Sequence, residues 1–565
     1  MRIFLTLLFA SMIHAQASLI DYDHPYHSTY TNKGIVVSQN YLSSDIGVEI
    51  LDQGGNAVDA AVAVGFSLAA TLPRAGNIGG GGFMQIYIEK DKTILSLDFR
   101  STAPALATRE FYQELKSQDD DVTRKGYKAI AVPGTIAGLY KAHELYGSLP
   151  METLLQPTID LLTAGVPMTQ DLYHAINIGK YISDDPESHE IYKKNLGPNS
   201  PLFIEDLKQT FIKLQKFGQD VFYRGEIADL IEKEMLKNDG LIRKSDLENY
   251  KVNITQPIKT TYRDKQIFAM GAPSGGGVVI LTALNVLENF QLSGLAPNSA
   301  RTYHLLSETL KYGHQNRSKL VGDPGYFDVP YDMLLSKKLA KEKAKKISLT
   351  SATNPKNINK FGDRINSSYE ESKDTTHYSV VDKDGNGVSV TYTLGYSFGS
   401  GVTIPGTGML TNNQMNNFAH NYGLIDSYFR SSSPANKLEP SKRPMSTMTP
   451  VMVFDSKGKL ELITGSPGGS QIPGVVFQVL VNYIDFDLDI GEASMLPRIH
   501  QDSQSTKLNY EKHMSSDTQR ILESYGHNLE LSDTMGSTQS IAIIDGVRFG
   551  YADLRRPNAS VSVQK

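Results

Sequence analysis

Two adjacent threonines, Thr375 and Thr376, stand where a polar stretch meets a predicted β-hairpin. The stretch before them, residues 349–374, is rich in Ser, Thr, Asn, Lys and Asp, which predicts a mobile or weakly packed tail. A threonine hydroxyl is a poor nucleophile until a base removes its proton, and an N-terminal threonine has its own α-amine as that base. The usual pKa of this amine, about 7.7–8.0, is close to neutral pH. Cleavage between Asp374 and Thr375 would therefore create the nucleophile and its base at the same residue. Without cleavage, Thr375 would only mark the start of a strand.

The register of the hairpin indicates which side chain lies beside Thr375. Its strands, "THYSVV" and "VSVTYTL", flank the turn "DKDGNG", and the second strand alternates apolar and polar residues. If Val380 faces Val388, then Thr375 faces Thr393, and a shift by two residues places Thr375 opposite Gly395. Directly opposed Cβ atoms lie about 4.5–5.5 Å apart. In either register Thr375 lies on the polar face, and the Thr393 hydroxyl can reach its backbone nitrogen.

The remaining elements predict a layered α+β fold around this hairpin. Three further strand pairs are predicted: one near residue 90, one in "VMVFDSKGKLELIT" and one in "STQSIAIIDGVRFGYA". Helical patterns dominate residues 133–348 and recur in "NAVDAAVAVGFSLAATL" and "GVVFQVLVNYIDF". We expect antiparallel sheets packed face to face, with helices on the outside.

Composition indicates a globular protein that acts on small molecules. The 565 residues are 40% hydrophobic and 21% charged, with a net charge of -5, which gives no reason to expect nucleic acid or an anionic membrane as a partner. The length suggests two domains or one large composite domain. There is no cysteine, so disulfides and thiol chemistry are excluded.

Residues 1–17 are typical of a secretory signal peptide. Arg2 precedes an apolar run from Ile3 to Ile13, and small residues follow at Ala15 and Ala17. The run is short for a membrane anchor, and no later stretch has the length and apolarity of a membrane helix. We expect cleavage after Ala15 or Ala17 and export to the periplasm of a Gram-negative bacterium or to the extracellular space.

Several motifs together closely resemble the γ-glutamyltranspeptidase (glutathione hydrolase) family of the N-terminal-nucleophile hydrolase superfamily. They are "NIGGGGFM", "DFRSTAP", "TTHYSVVDKDGNGVSVTYTL", "LTNNQMNNF", "KRPMSTMTP", "TGSPGGS" and "MGSTQSI", and they occur in the family's order. The resemblance implies a four-layer αββα sandwich and self-cleavage between Asp374 and Thr375. It implies a heterodimer of a large subunit, 18–374, and a small subunit, 375–565.

The reaction implied by the resemblance is attack on a γ-glutamyl amide such as that of glutathione. The acyl group rests as an ester on Thr375 and passes to water, an amino acid or a peptide. No metal or organic cofactor is implied.

The resemblance also assigns site residues. Thr375 and Thr393 belong to the catalytic centre, and Gly468 and Gly469 of "TGSPGGS" stabilise the oxyanion through their backbone N–H groups. This suits glycines that open a helix, since its N-terminus favours negative charge, although a tight turn alone would also need them. Neither serine of this motif lies in a G-x-S-x-G elbow. The implied substrate-binding residues are Arg100 for the α-carboxylate, Ser446 and Thr447 beside it, Gln414 and Asn417 for the amino group, and Tyr422 in a lid.

Two positions depart from the family pattern. Gly395 stands where an asparagine is usual, and Asn417 stands where an aspartate usually pairs with the substrate ammonium. A neutral Asn417 makes a weaker hydrogen bond to a cation than a carboxylate does. A related acyl amidase, similar to glutaryl and cephalosporin acylases, is therefore the alternative, and an uncut γ-glutamyl peptide-binding protein is a second one.

The histidines offer little chemistry. His24 and His27 have no third ligand nearby in sequence, so we expect no metal there. We expect structural roles for His377 and His500. For His500, a role near the site is the alternative.

Overall fold

The computed structural model describes residues 26–119, 121–194, 196–358, 374–419, 434–503 and 505–565. The predicted signal peptide, 1–17, and the predicted lid residue Tyr422 lie outside these ranges. Of the predicted tail, the structure describes 349–358, which includes a short helix at Pro355–Ile358, and Asp374.

Two seven-stranded sheets form the centre of the molecule, and each is antiparallel throughout. The first sheet has the order Ser560–Val563, Ile35–Ser38, Thr376–Val381, Gly387–Thr393, Gly81–Ile88, Thr93–Phe99 and Asn253–Thr255. The second has the order Thr29–Thr31, Val547–Ala552, Gln539–Ile544, Leu460–Thr464, Val451–Phe454, Lys265–Ala269 and Ile258–Tyr262. All four predicted strand pairs are confirmed.

Two small sheets lie outside this pair. One joins Thr403–Ile404 to Met409–Leu410, and the other has the order Ile499–His500, Lys507–Glu511 and Asn528–Ser532.

Helices cover the outer face of each large sheet. The helix Ala57–Thr71 begins at an Asn56–Asp59 capping box, is buried along its whole length, and packs on the first sheet. Further helices before residue 250 are Tyr41–Asp52, Arg109–Gln118, Thr135–Tyr146, Met151–Ala164, Gln170–Ile178, Pro186–Ser188, Glu205–Phe217, Asp220–Tyr223, Glu226–Lys237 and Lys244–Glu248.

The second helical layer is built around Gly276–Leu287, which packs on Ile258–Tyr262, Ala300–Leu320 and Ile472–Asp485. The other helices after residue 250 are Tyr331–Leu334, Lys337–Ala344, Pro355–Ile358, Ile490–Met495 and Ser516–Ser524. Short 3-10 turns occur at Tyr127–Ala129, Tyr181–Ser183, Gln414–Asn417, Pro434–Asn436 and Gly469–Gln471, and a π-helical turn at His189–Lys193.

The layer order is helix, sheet, sheet, helix, as expected for an αββα sandwich. A core cluster between the sheets joins Val37 and Val381 of the first sheet to Met452, Ile463 and Ile541 of the second. No helix in the described ranges has the length and apolarity to cross a membrane.

The polar face of the Thr376–Val381 hairpin is buried against the second sheet. The Ser379 hydroxyl donates to the carbonyl of Gln539 at 2.8 Å, so it accepts the hydrogen bond from His377 Nε2 at 3.1 Å. His377 Nδ1 lies 2.8 Å from the Thr391 hydroxyl. Burial lowers the pKa of His377 to about 3, so the ring is neutral and its role here is structural.

Candidate active site

The hairpin register places Thr375 beside Thr393. Val380 pairs with Val388 and Thr376 pairs with Tyr392, so the next position along the strand brings Thr375 opposite Thr393. This is the first of the two predicted registers.

A chain of hydrogen bonds joins the two threonines to the carbonyl oxygen of Asp374. The Thr375 hydroxyl donates to Thr393 Oγ1 at 3.4 Å, and Thr393 Oγ1 donates to the Asp374 carbonyl oxygen at 3.1 Å. The backbone N–H of Gly395 also donates to Thr393 Oγ1, at 2.9 Å. One donor and two acceptor positions of this hydroxyl are thus occupied, and the carbonyl oxygen of Gly395 is a more distant second acceptor at 3.5 Å. In the uncut chain, the Thr393 hydroxyl contacts the carbonyl before Thr375 and not the expected backbone nitrogen.

Two arginines hold the side chain of Asp374. Its carboxylate lies 3.5 Å from Arg556 Nη2 and 4.0 Å from Arg74 Nε. Arg74 also pairs with Asp171 at 2.8 Å. The residue before Thr375 is therefore held through both its carbonyl oxygen and its carboxylate.

A cavity of about 90 Å³ opens beside Thr375 and Thr393. Five more predicted site residues line it: Arg100, Asn417, Ser446, Thr447 and Gly469. The fold thus collects residues from positions 100, 375, 393, 417, 446 and 469 around one small space.

The glycine turn enters this cavity between a strand and a helix. Gly468 and Gly469 have φ angles of 129° and 57°, a region that favours glycine. The turn follows Leu460–Thr464 and leads through Gly469–Gln471 into Ile472–Asp485. Because Gly469 and Ser470 line the cavity, the N-terminal end of this helix lies close to its wall. The Thr447 hydroxyl donates to the carbonyl of Gly469 at 2.7 Å and fixes that peptide. Gly469 lines the cavity, and Gly468 precedes it in the turn without being one of the lining residues.

Arg100 supplies a buried cation in the cavity wall. It is 1% exposed, and its Nη2 donates to Asn417 Oδ1 at 2.9 Å while its Nε donates to the carbonyl of Pro444 at 3.3 Å. Its Nη1 has no hydrogen-bond acceptor in the described ranges. Burial lowers the pKa of Arg100, against the opposing effects of Asp98 and Tyr250. A bound carboxylate would offset the cost of burying the guanidinium charge and would accept hydrogen bonds from the remaining N–H groups.

The other predicted residues lie at different depths. Gln414 is fully buried behind the site, where its Nε2 donates to the carbonyl of Thr393 at 2.8 Å, and it does not line the cavity. The Ser446 hydroxyl accepts from the backbone N–H of Met448 at 3.1 Å. Ser466 donates to the carbonyl of Pro467 and accepts from Ser537 N–H, which occupies its hydroxyl in the turn.

Sequence reasoning missed several lining residues. Arg317, Tyr396, Asn416, Met445, Met448 and Ser470 also line the cavity. Arg317 lies near the end of the helix Ala300–Leu320, and only its charge in a mostly buried helix could have drawn attention to it. The described lining thus contains two arginines and no Asp or Glu.

His500 does not line the cavity. Its ring packs against His314 with centroids 5.6 Å apart, and burial and Arg317 lower its pKa to about 4. The expected structural role therefore suits His500.

Comparison with known proteins gives consistent matches along the chain. The sequence model of the gamma-glutamyltranspeptidase family matches residues 43–563. The chain is 40% identical over 539 residues to a glutathione hydrolase proenzyme of Escherichia coli (strain K12), covering 94% of this chain and 92% of that protein.

Solved structures agree in fold. A cephalosporin acylase from Bacillus halodurans superposes with a TM-score of 0.82 at 25% identity, covering 97% of this chain and 99% of that one. A gamma-glutamyltranspeptidase chain from Helicobacter pylori superposes with a TM-score of 0.54 at 35% identity, covering 55% of this chain and 91% of that one.

Proposed function

Because the chain belongs to the gamma-glutamyltranspeptidase family, we propose that it is a self-processing enzyme that hydrolyses and transfers γ-glutamyl groups, including that of glutathione. The relative from Escherichia coli is named a glutathione hydrolase proenzyme, which supports both the substrate class and the processing. The observation on which the proposal mainly rests is the hydrogen-bonded chain from Thr375 through Thr393 to the carbonyl oxygen of Asp374.

Processing begins with attack by Thr375 Oγ1 on the carbonyl carbon of Asp374. The Thr393 hydroxyl stabilises the negative charge that develops on the carbonyl oxygen. The C–N bond then breaks, the nitrogen takes the proton that Thr375 Oγ1 loses in the attack, and the Asp374 acyl group is left as an ester on Thr375. Water hydrolyses the ester, releasing the Asp374 carboxylate and a Thr375 with a free amine and hydroxyl.

The new amine then serves as the base in turnover. It takes the proton from Thr375 Oγ1 as this oxygen attacks the γ-carbonyl, and Gly468 and Gly469 hold the oxyanion. The amine returns the proton to the leaving nitrogen, and water or an amine acceptor resolves the ester. Arg100 binds the substrate α-carboxylate.

Ser446 and Thr447 assist at the carboxylate end of the substrate. Asn417 and Gln414 act at the amino end of the substrate. Asn417 does so from the cavity wall, and Gln414 does so by its hydrogen bond to the carbonyl of Thr393. Tyr422 is proposed as the lid residue on sequence grounds.

We also propose that the mature enzyme is a heterodimer of 18–374 and 375–565, exported to the periplasm. The proenzyme relative supports processing, and export rests on the sequence of residues 1–17. N-terminal sequencing of both chains from a periplasmic fraction tests this. A large chain that still begins at Met1 would contradict export by a cleaved signal.

The direct test of function combines chain sequencing with substrate hydrolysis. We expect a small chain that begins at Thr375 and release of p-nitroaniline from γ-glutamyl-p-nitroanilide. Thr375→Ala should abolish cutting and hydrolysis together. A wild-type chain that stays uncut and inactive but binds γ-glutamyl peptides would instead support a binding protein.

A second candidate is an acyl amidase for glutaryl-type groups. The favouring observation is that the described cavity lining has two arginines, a neutral Asn417 and no carboxylate to pair with a substrate ammonium. The structural neighbour named a cephalosporin acylase is consistent with it. Comparing hydrolysis of γ-glutamyl and glutaryl anilides decides between them, and a clear preference for the glutaryl compound would overturn our choice.

A further inference from the structure

A buried group of metal-ligand type lies outside the catalytic cavity. His304 and Glu308 belong to the helix Ala300–Leu320, and His527 lies just before the strand Asn528–Ser532. The potential ligand atoms of these three side chains lie within 4.8 Å of one another, and all three residues are buried. The i, i+4 spacing puts His304 and Glu308 on the same face of their helix.

The hydrogen bonds of His304 leave the correct nitrogen available. Its Nε2 donates to the carbonyl of Ser348 at 2.7 Å, so its Nδ1 bears a lone pair. That Nδ1 faces His527 Nε2 at 2.8 Å. A ring N–H bonded to a backbone carbonyl is the usual second contact of a metal-binding histidine, because it fixes the tautomer and the ring orientation.

Glu308 provides an independent observation that points to a ligand. It is 0% exposed, and its Oε2 has no hydrogen-bond partner in the described part of the chain. Its other oxygen, Oε1, accepts from Lys311 Nζ at 2.7 Å and from the backbone N–H of Thr353 at 3.1 Å. The orphaned oxygen is therefore the one left for a cation.

We propose that His304 Nδ1, His527 Nε2 and Glu308 Oε2 bind a divalent transition metal, with Zn²⁺ as the best match. Two imidazoles and one carboxylate, with a fourth position for water, are a known zinc donor set. Two nitrogens bound tetrahedrally to zinc at about 2.0–2.1 Å lie about 3.3 Å apart, so binding opens the present nitrogen pair by about 0.5 Å. The ring proton of His527 moves to Nδ1, and the imidazole stays neutral.

The position of the site gives it a structural role, which rests on the proposed cleavage after Asp374. His304 and Glu308 would then belong to the large chain and His527 to the small one, so the ion would join the two subunits. Ser348 and Thr353 already contact the two large-chain ligands, and the Ala352 N–H donates to the carbonyl of Tyr525 at 2.7 Å.

The test measures zinc directly. Processed protein is stripped with a chelator, equilibrated with limiting Zn²⁺, passed through gel filtration and analysed for metal, with a chromophoric chelator as competitor to give the dissociation constant. We expect one zinc per pair of chains in the wild type and at least a 10- to 100-fold weaker affinity in His527→Gln, whose amide keeps hydrogen-bonding capacity. The exposed His513 provides the control, and His513→Gln should bind as the wild type does. Equal zinc binding by wild type and His527→Gln, or none by either, would overturn the proposal.

Two further measurements separate this site from the proposed reaction. The uncut Thr375→Ala chain should bind zinc as the wild type does, because all three ligands are present without cleavage. Zinc should also raise the urea midpoint for dissociation of the processed subunits in the wild type but not in His527→Gln. A bound zinc that leaves this midpoint unchanged would overturn the joining role.

Discussion

The hydroxyl of Thr393 donates a hydrogen bond to the carbonyl oxygen of Asp374 at 3.1 Å, while it accepts one from the hydroxyl of Thr375 at 3.4 Å. One side chain thus contacts both the electrophile and the nucleophile of the proposed self-cleavage. The backbone N–H of Gly395 holds this hydroxyl in place. The hydrogen bonds of the uncut chain thus place the nucleophile, the electrophile and the Thr393 hydroxyl together for the first step of the proposed self-cleavage.

Thr393→Val should slow self-cleavage about 10²- to 10³-fold, because it removes a donor to the developing oxyanion, a loss of roughly 3–4 kcal/mol. Thr393→Ser keeps the hydroxyl and should cut at a rate near that of the wild type. The measurement is the fraction of full-length chain against time on a denaturing gel. Equal rates of self-cleavage in Thr393→Val and Thr393→Ser would exclude a role for the hydroxyl.

Arg100→Lys should raise the KM for γ-glutamyl-p-nitroanilide roughly 10- to 100-fold with a smaller effect on kcat. Lysine keeps the charge but cannot grip both carboxylate oxygens through a planar fork. Arg224→Lys, at an exposed ion pair with Asp220, is the matched control and should leave both constants unchanged. An unchanged KM in Arg100→Lys would remove Arg100 from the carboxylate site.

Asn417→Asp should raise the preference for γ-glutamyl over glutaryl anilide by about tenfold. The new carboxylate offers a charge-assisted hydrogen bond to the substrate ammonium, worth about 1.5–3 kcal/mol before its pairing with Arg100 is deducted. The readout is the ratio of kcat/KM for the two anilides. Asn416→Asp adds the same charge one residue away, and an equal change in that variant would show that only net charge matters.

Gly395→Ala should destabilise the protein by roughly 1–3 kcal/mol and slow self-cleavage. Gly395 has a φ of 108°, and an added Cβ would lie 2.1 Å from Asn413 Oδ1, so the N–H that orients Thr393 would be displaced. Gly406→Ala is the control, because its φ is 74° but its Cβ would meet only Leu230 Cδ1 at 3.6 Å. Urea midpoints and cutting rates check this, and identical losses in both variants would assign the effect to φ alone.

Stability should fall as the pH falls below about 6.5. The pKa of His377 is about 3 and that of His500 about 4 in the folded protein, so between these values and about 6.5 the unfolded chain binds more protons. Each unit by which the folded pKa lies below the unfolded pKa corresponds to about 1.4 kcal/mol of stability. This stability is present above the unfolded pKa and is lost as the pH falls toward the folded pKa. Urea midpoints at about pH 7 and pH 5 measure this, and a flat profile would show that the rings remain solvated. His500→Gln should reduce the slope.

The hairpin register could be predicted from sequence because alternation of apolar residues leaves few pairings. Val388, Val390 and Tyr392 fix which face of the strand is apolar, and that left two registers, with Thr375 opposite Thr393 or Gly395. The structure has the first of them. The sequence could not show that the opposite face, with His377 and Ser379, is also buried, because a second sheet covers it. Polar residues on a covered face look like polar residues on a solvated one.

The cavity wall was only partly predictable for a similar reason. Arg100 and Asn417 were found through motifs, but their mutual hydrogen bond joins positions 317 residues apart and has no local signal. Arg317 lies in the helix Ala300–Leu320, whose sequence pattern indicates a packed helix and gives no sign of a functional site. The sequence also offered no sign that the Gln414 amide donates to the backbone carbonyl of Thr393, and its expected contact with the substrate stays a prediction.

The order of strands in the first sheet has a consequence for recovery from denaturation. The strand Ile35–Ser38, which precedes Thr375, lies between Ser560–Val563 and Thr376–Val381, which follow it. The uncut chain assembles this arrangement in a unimolecular reaction, but two separate polypeptides must first meet, and their encounter depends on concentration. Cleavage therefore makes refolding depend on concentration. The precursor folds while its strands are covalently linked, whereas the two chains of the mature enzyme, once unfolded and diluted, have no such link to bring them together.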